Sequence, residues 1–279
     1  MIITRFAPSP TGRLHLGHAH SALLAQHAVR AAGGRLLLRI EDIDSTRCRA
    51  EFSAGILEDF AWLGLEWEEP VRRQSEHLAD YAAVLARLAA LELVYPCFCT
   101  RSEILAEIAR AGQAPHGREG PVYPGTCRRL DAAEREERIA ARANHALRLD
   151  AERAATVTGP LHFEDRRHGM IPVNPGLLGD VVLARRDIGT SYHVAAVADD
   201  ALQGVTLIVR GEDLLEATHV HRLLQALLEF PTPVYHHHPL LTDATGRRLA
   251  KRNRAVTIEE LRHSGRSPAA VRALAGFPD

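Results

Sequence analysis

Apolar positions near the N-terminus follow first the strand period and then the helix period. Ile2, Ile3 and Phe6 make a short apolar run of strand length, and Pro8, Pro10 and Gly12 forbid regular structure just after it. His18 to Ala32 contains no proline or glycine, carries Ala19, Ala22, Leu23 and Val29 at helical spacing, and stops at Gly33-Gly34. Arg35 to Ile40 is apolar enough for a buried parallel strand and ends in Glu41-Asp42-Ile43-Asp44. Residues 46–63 and 75–93 carry helical patterns, the second with Leu78, Tyr81, Ala82, Leu85, Leu88 and Ala89 on one face.

The pattern breaks at Tyr95-Pro96-Cys97-Phe98-Cys99, and residues 95–175 are richer in Gly, Pro and short polar turns. This stretch reads as an insertion holding one helix, Asp131 to Asn144, and strand candidates at 145–150 and 156–163. The main sheet is expected to resume with Asp180-Val181-Val182-Leu183-Ala184; Tyr192 to Ala198 then leads into Asp199-Asp200. Val205 to Val209 is a clear strand that runs into Arg210-Gly211-Glu212-Asp213 and a helix to about Phe230. Strand, polar loop and helix thus occur twice, as a two-halved nucleotide-binding sheet requires. The expectation is an α/β protein with a doubly wound parallel sheet. Its halves are 1–94 and 176–235, interrupted by the 95–175 insertion and followed by a loop and helical tail at 236–279.

Composition narrows this little: 279 residues, 46% hydrophobic and 25% charged, match an ordinary globular protein. The net charge of −1 provides no global field for nucleic acid, so any such partner must be held locally. The N-terminus lacks the layout of a signal peptide and no apolar run reaches membrane-spanning length, so the expectation is a cytoplasmic protein with no membrane partner. Lys and Arg total 34, yet Lys251 is the single lysine, leaving 34 − 1 = 33 arginines. An ammonium is a compact point charge on a flexible stem, and its retention at one place marks a candidate phosphate ligand.

The loop after the first strand delivers His15, Gly17 and His18 to a helix N-terminus, where free N–H groups and the helix dipole favour an anion such as a nucleotide phosphate. A turn with two solvated histidines is the other reading. Glu41, just past a strand's carboxyl end, is a candidate to hold an ammonium; helix capping by Asp44 or Ser45 is the structural alternative. Cys97, Cys99 and Cys127 are bunched rather than spread as a disulfide framework, and on spacing alone His116 would be nominated as a fourth zinc ligand.

His15-Leu16-Gly17-His18 and Arg248-Leu249-Ala250-Lys251-Arg252 together resemble the two signatures of class I aminoacyl-tRNA synthetases. Arg5 to Gly12, Arg39 to Asp44 and Arg210 to Asp213 look like the glutamyl-tRNA synthetase group, and the resemblance runs from about residue 3 to about residue 255. Only 279 − 251 = 28 residues follow Lys251, too few for an anticodon-binding domain, so the chain most resembles the truncated glutamyl-Q tRNA(Asp) synthetase family.

That resemblance implies activation of L-glutamate by ATP without tRNA, then transfer to the queuosine base at the wobble position of tRNA(Asp). It implies that His15, His18 and Lys251 are catalytic and, with Gly17, bind ATP and its Mg²⁺. It assigns glutamate to Arg5, Ala7, Ser9, Glu41, Tyr192 and Arg210, and a structural Zn²⁺ to Cys97, Cys99, Tyr123 and Cys127, with Tyr123 in place of His116. Arg210 has a structural alternative, an ion pair with Glu212 or Asp213. Arg248 and Ala250 depart from a signature that is usually lysine-led with a serine before its last lysine, a change expected to slow the enzyme. A monomer is expected. The alternatives are a minimal glutamyl-tRNA synthetase charging a tRNA 3′ end, and a non-catalytic zinc-containing RNA-binding relative.

Overall fold

The computed structural model describes residues 1–111, 116–117, 120–141, 144–242 and 256–278. In chain order the strands are β1 (Ile3–Phe6), β2 (Arg35–Ile40), β3 (Glu68–Arg73), β4 (Val94–Cys97), β5 (His116–Gly117), β6 (Gly120–Pro121), β7 (Ala146–Leu149), β8 (His162–Asp165), β9 (Gly169–Pro172), β10 (Val182–Ala184), β11 (Leu207–Gly211) and β12 (Val234–His238). The helices are α1 (Leu16–Ala32), α2 (Ala50–Leu63), α3 (Leu78–Ala90), α4 (Arg101–Ala111), α5 (Ala132–Ala140), α6 (Ala151–Thr158), α7 (Tyr192–Leu202), α8 (Leu215–Leu227), α9 (Ile258–His263) and α10 (Pro268–Leu274).

Seven strands form the main sheet in the order β3-β2-β1-β11-β12-β8-β9, parallel except for the last pair. From β1 the chain moves outward through α1 to β2; from β11 it moves the opposite way through α8 to β12. The direction of winding therefore reverses between β1 and β11, and the crevice past their carboxyl ends is where such sheets bind ligands. Arg5 and Arg210 stand near the ends of these two neighbouring strands.

Both faces of the sheet are covered, which is why Leu36, Leu37 and Leu38 of β2 are apolar on either face. Leu36, Leu207 and Val209 pack with Ala25 and Val29 of α1, whereas Leu37 and Ile208 face Phe163 and Tyr235. Helix α1 ends because Gly33 takes φ +60°, where its N–H reaches back to the carbonyls of Arg30 and Val29. The C-terminal helices dock on α2, with Ile258 and Val271 packed beside Ile56 and Phe60.

Several elements differ from the sequence expectation. Val182–Ala184 does not resume the main sheet; it pairs with β7 in a separate antiparallel sheet of order β10-β7-β4. The small sheet buries Leu93, Leu149 and Leu183 against α3 and α7, so its apolar side chains have a core of their own. Residues 156–163 are not one strand: Thr158 ends α6 and β8 begins at His162. Strands β8 and β9 fall within the 95–175 stretch yet extend the main sheet beyond β12, with Phe163 buried against Tyr235. β3 was unmarked because an edge strand can be polar and tolerate Pro70, and β12 because His236, His237 and His238 interrupt its apolar pattern.

Candidate active site

The loop leaving β1 is held from two sides. Pro8 O accepts from Glu41 N at 3.0 Å and Pro10 O from Arg49 N at 3.1 Å, which fixes it to the end of β2 and the start of α2. His15 then caps α1: its Nδ1 accepts from Gly17 N at 3.1 Å, while His18 Nδ1 accepts from His15 N at 3.1 Å. Because each Nδ1 is an acceptor, each neutral ring carries its proton on Nε2 and is a donor there. The rings lie 3.9 Å apart, and the first turn of α1 holds no acidic residue to cancel the dipole.

Arg5, Ala7, Ser9, His15, Gly17, His18, Glu41, Tyr192 and Arg210 all line one cavity of about 540 Å³ at the β1/β11 crevice. The fold thus brings together residues drawn from five separate stretches of sequence. Lys251, Arg248 and Ala250 lie outside the described residues. Leu240 and Leu241 line the cavity, and Thr257 bridges to His15, which also lines it, with Ile258 N donating to Leu14 O at 2.9 Å.

The charges around the cavity are unequally matched. Arg5 Nε donates to Asp200 Oδ1 at 2.9 Å, and Arg39 NH1 shares that oxygen at 2.8 Å. Arg39 also reaches Glu41 at 3.3 Å and Asp199 at 3.6 Å, while Arg72 meets Asp199 at 2.7 Å and, at its outer end, Asp80 at 2.6 Å. In this buried network Arg5, Arg39 and Arg72 alternate with Glu41, Asp199 and Asp200. Burial raises the pKa of Glu41, against the pull of Arg39 and Arg5; burial likewise opposes ionisation of Asp200, but Arg5 and Arg39 outweigh it and hold that carboxyl below its usual range. Only Oε1 of Glu41 is engaged among the described residues, which leaves acceptor capacity beside the cavity.

Arg210 is different. It is 5% exposed, yet among the described residues no carboxylate pairs with it, so the alternative of an ion pair with Glu212 or Asp213 is not what the structure contains. Its partners are the Tyr192 hydroxyl at 3.1 Å, His237 Nε2 at 3.1 Å, His221 Nδ1 at 3.3 Å and Thr218 Oγ1 at 2.6 Å. Burial, reinforced by Arg210 itself, depresses His193 to about 4 and His237 to about 3, and drives His221 well below its ordinary value, so these rings are neutral. A buried guanidinium among neutral groups attracts an anionic ligand strongly, because a charge withdrawn from water needs a counter-charge.

The cysteine cluster lies apart from this crevice. The Sγ atoms of Cys97, Cys99 and Cys127 all fall within 4.8 Å of one another, with Cys99 3.4 Å from Cys127 and 3.6 Å from the Tyr123 hydroxyl. Three thiols and one phenol oxygen converging this closely fit a tetrahedral metal, for which zinc–sulfur distances of about 2.3 Å are usual. The hydroxyl of Tyr123 also accepts from Cys127 N at 2.8 Å, tying the fourth position to the third. The side chain of His116 is outside the described residues. Between cysteine cluster and crevice lies a second cavity of about 660 Å³, which shares Ser9, Thr11, Glu41 and Tyr192 with the first and is bordered by Tyr123 and Arg148.

Residues 1–276 match the family model described as tRNA synthetases class I (E and Q), catalytic domain. The chain belongs to this synthetase family. It is 50% identical over 282 residues to a glutamyl-Q tRNA(Asp) synthetase of Rhodobacter capsulatus, covering 99% of this chain and 100% of that one. It is 41% identical to a glutamate–tRNA ligase 2 of Acidithiobacillus ferrooxidans, but spans 56% of that protein. A glutamate tRNA ligase from Elizabethkingia meningosepticum, crystallised with its amino acid, superposes with TM-score 0.81 at 26% identity, over 98% of this chain and 60% of that one.

The synthetase crevice contains groups that motif reading left without roles. Arg39 belongs to the Arg39-to-Asp44 motif and Asp199-Asp200 follows an apolar stretch in the sequence; their arrangement needs three elements to meet. Thr218, His221 and His237 carried no spacing signal, although three histidines ending one strand could have prompted the question. Among the described residues no helix is long and apolar enough to cross a membrane.

Proposed function

We propose that this synthetase activates L-glutamate with ATP in the absence of tRNA and transfers the glutamyl group to the queuosine base of tRNA(Asp). The observation that carries the amino-acid assignment is the charge pattern of the crevice. Free glutamate bears two carboxylates and one ammonium; its net charge of −1 complements Arg210, which meets no carboxylate among the described residues, with Glu41 available to the ammonium and Tyr192 beside the guanidinium. Glutamine, with no net charge, leaves Arg210 without a counter-charge.

In the first step an oxygen of the glutamate α-carboxylate attacks the α-phosphorus of ATP, and the bond to the bridging oxygen of pyrophosphate breaks. Positioning and electrostatic stabilisation carry such a reaction, with no protein nucleophile. His15 and His18 donate from Nε2 to phosphate or ribose oxygens, Gly17 lets the nucleotide approach the α1 N-terminus, and Lys251 follows the departing pyrophosphate. ATP enters with its Mg²⁺. Arg5 and Ser9 bound the amino-acid side, and Ala7 is small enough to leave room. The acceptor base then enters through the adjoining 660 Å³ cavity, takes the glutamyl group and releases AMP.

Cys97, Cys99, Cys127 and Tyr123 hold a zinc ion whose role is structural, crosslinking the segment beside that second cavity. The protein works as a monomer in the cytoplasm. The 50% identity to a glutamyl-Q tRNA(Asp) synthetase, against 41% to the glutamate–tRNA ligase, supports the queuosine reading over a minimal charging enzyme. The acceptor is tested by glutamylating tRNA(Asp) and removing the 3′-terminal nucleotide: label that stays with the tRNA supports the base-linked product, and label lost with the nucleotide supports a 3′ ester.

A further inference from the structure

Behind Arg210, on the side away from the cavity, a chain of buried polar groups runs through three elements. Asp165, the last residue of β8, has both carboxylate oxygens engaged. Oδ1 accepts from Arg167 N at 2.9 Å and His168 N at 3.0 Å, and Oδ2 accepts from His237 N at 3.0 Å and contacts His237 Nδ1 at 2.7 Å. Arg210 Nε donates to the other nitrogen of the same ring, His237 Nε2, at 3.1 Å. Asp165 is 1% exposed and His237 fully buried, with its ring stacked on Tyr235.

Only one proton arrangement satisfies all these contacts. The imidazole is neutral, so one nitrogen donates and the other accepts. A carboxylate facing Nδ1 requires the proton there, which leaves a lone pair on Nε2 aimed at the Arg210 N–H. Had the proton sat on Nε2, two donors would face each other in the interior, an arrangement that costs a buried hydrogen bond.

We propose that Asp165 and His237 are positioning residues for glutamate recognition: Asp165 fixes the tautomer of His237, and His237 fixes the guanidinium of Arg210 in the orientation that receives the glutamate carboxylate. Neither residue touches the substrate. The inference rests on the reading that Arg210 binds glutamate. It adds a specificity element delivered by Asp165 of β8 and His237 of β12, neither of which lines the cavity. Neutrality of the ring that meets Arg210 matters as much as its geometry, because a carboxylate in direct contact would satisfy Arg210 internally and remove its demand for an anionic substrate. Asp165 lends its charge only through an imidazole, one ring further away.

The test uses the full chain with Arg210→Ala, Asp165→Asn, His237→Phe, and the last two each combined with Arg210→Ala. Glutamate-dependent ATP–pyrophosphate exchange and thermal melting are read for each. His237→Phe keeps the ring stacked on Tyr235 and removes the acceptor, so it decides the matter should Asp165→Asn disturb the turn that Asp165 holds. The proposal predicts that both single changes raise the KM for glutamate about 10- to 100-fold, as loss of a supporting partner does elsewhere. KM for ATP should stay within about twofold, preference for glutamate over glutamine should fall, and neither change should add to the effect of Arg210→Ala. An unchanged KM for glutamate, or effects that multiply in the Arg210→Ala background, would overturn it. Failure of the underlying reading looks different: Arg210→Ala itself would then leave the KM for glutamate untouched.

Discussion

Arg5 and Asp200 meet at 2.9 Å, Nε to Oδ1, both side chains 5% exposed. The pair joins the end of β1 to α7 and supplies Arg5, a residue bordering the cavity, with a charge of its own. Arg5 is thereby held in place rather than left in search of a ligand. Breaking a buried pair by removing one partner costs about 3–5 kcal/mol, because the other charge remains buried. Asp200→Asn strands Arg5 and takes from Arg39 one of its three carboxylate partners among the described residues, so its melting temperature should fall by on the order of 10 °C. A fall of only a degree or two would show that the network does not support the fold.

Arg210 should behave in the opposite way. Its loss removes a cation without stranding a carboxylate, so Arg210→Ala should be tolerated by the fold and damaging to recognition. A charge-assisted hydrogen bond is worth about 1.5–3 kcal/mol, which sets the rise in KM for glutamate at roughly 10- to 100-fold, with little change for ATP. Equal effects on both substrates would take Arg210 out of the amino-acid pocket.

Asp59 makes stability depend on pH. It is fully buried on α2 beneath α9; neither oxygen has a hydrogen-bond partner among the described residues, and Arg262 stands 3.8 Å away. Burial pushes its carboxyl up to about 6, with Arg262 pulling the other way. The folded state therefore holds the proton more tightly than the unfolded chain. This stabilisation is complete below the unfolded pKa near 4 and is lost as pH rises through 6, by roughly 2–3 kcal/mol in all. Asp59→Asn should match the wild type at pH 4 and melt higher at pH 8. A difference that is the same at both values would rule out titration of Asp59.

The cysteine cluster makes a prediction independent of catalysis. Protein prepared without chelator should contain one equivalent of zinc, and Cys99→Ser or Tyr123→Phe should lower zinc retention and melting temperature together. Only trace zinc in unchelated protein would remove the assignment.

What the sequence conveyed about this molecule depended on whether a feature was local. The strand-loop-helix at residues 2–32 was legible because proline, glycine and apolar spacing act within a few residues, and β11 because Leu207-Ile208-Val209 is an apolar run within a β-branched stretch. The strand at 182–184 was equally apolar, but no pattern along the chain states which of two sheets will pair with it. Motifs gathered Arg5, Glu41 and Arg210 as candidates without revealing their different electrostatic states. That distinction arises from Asp200 and His237, 195 and 27 residues away from the arginines they hold, and so exists only in the folded chain.

Whether the β1/β11 crevice activates glutamate without help from tRNA is decided by ATP–pyrophosphate exchange with no tRNA present, using glutamate, glutamine and aspartate in turn. Exchange is expected with glutamate alone. Exchange that begins only when tRNA is added would show that the crevice does not work unaided, and exchange that proceeds equally with glutamine would show that it does not select glutamate.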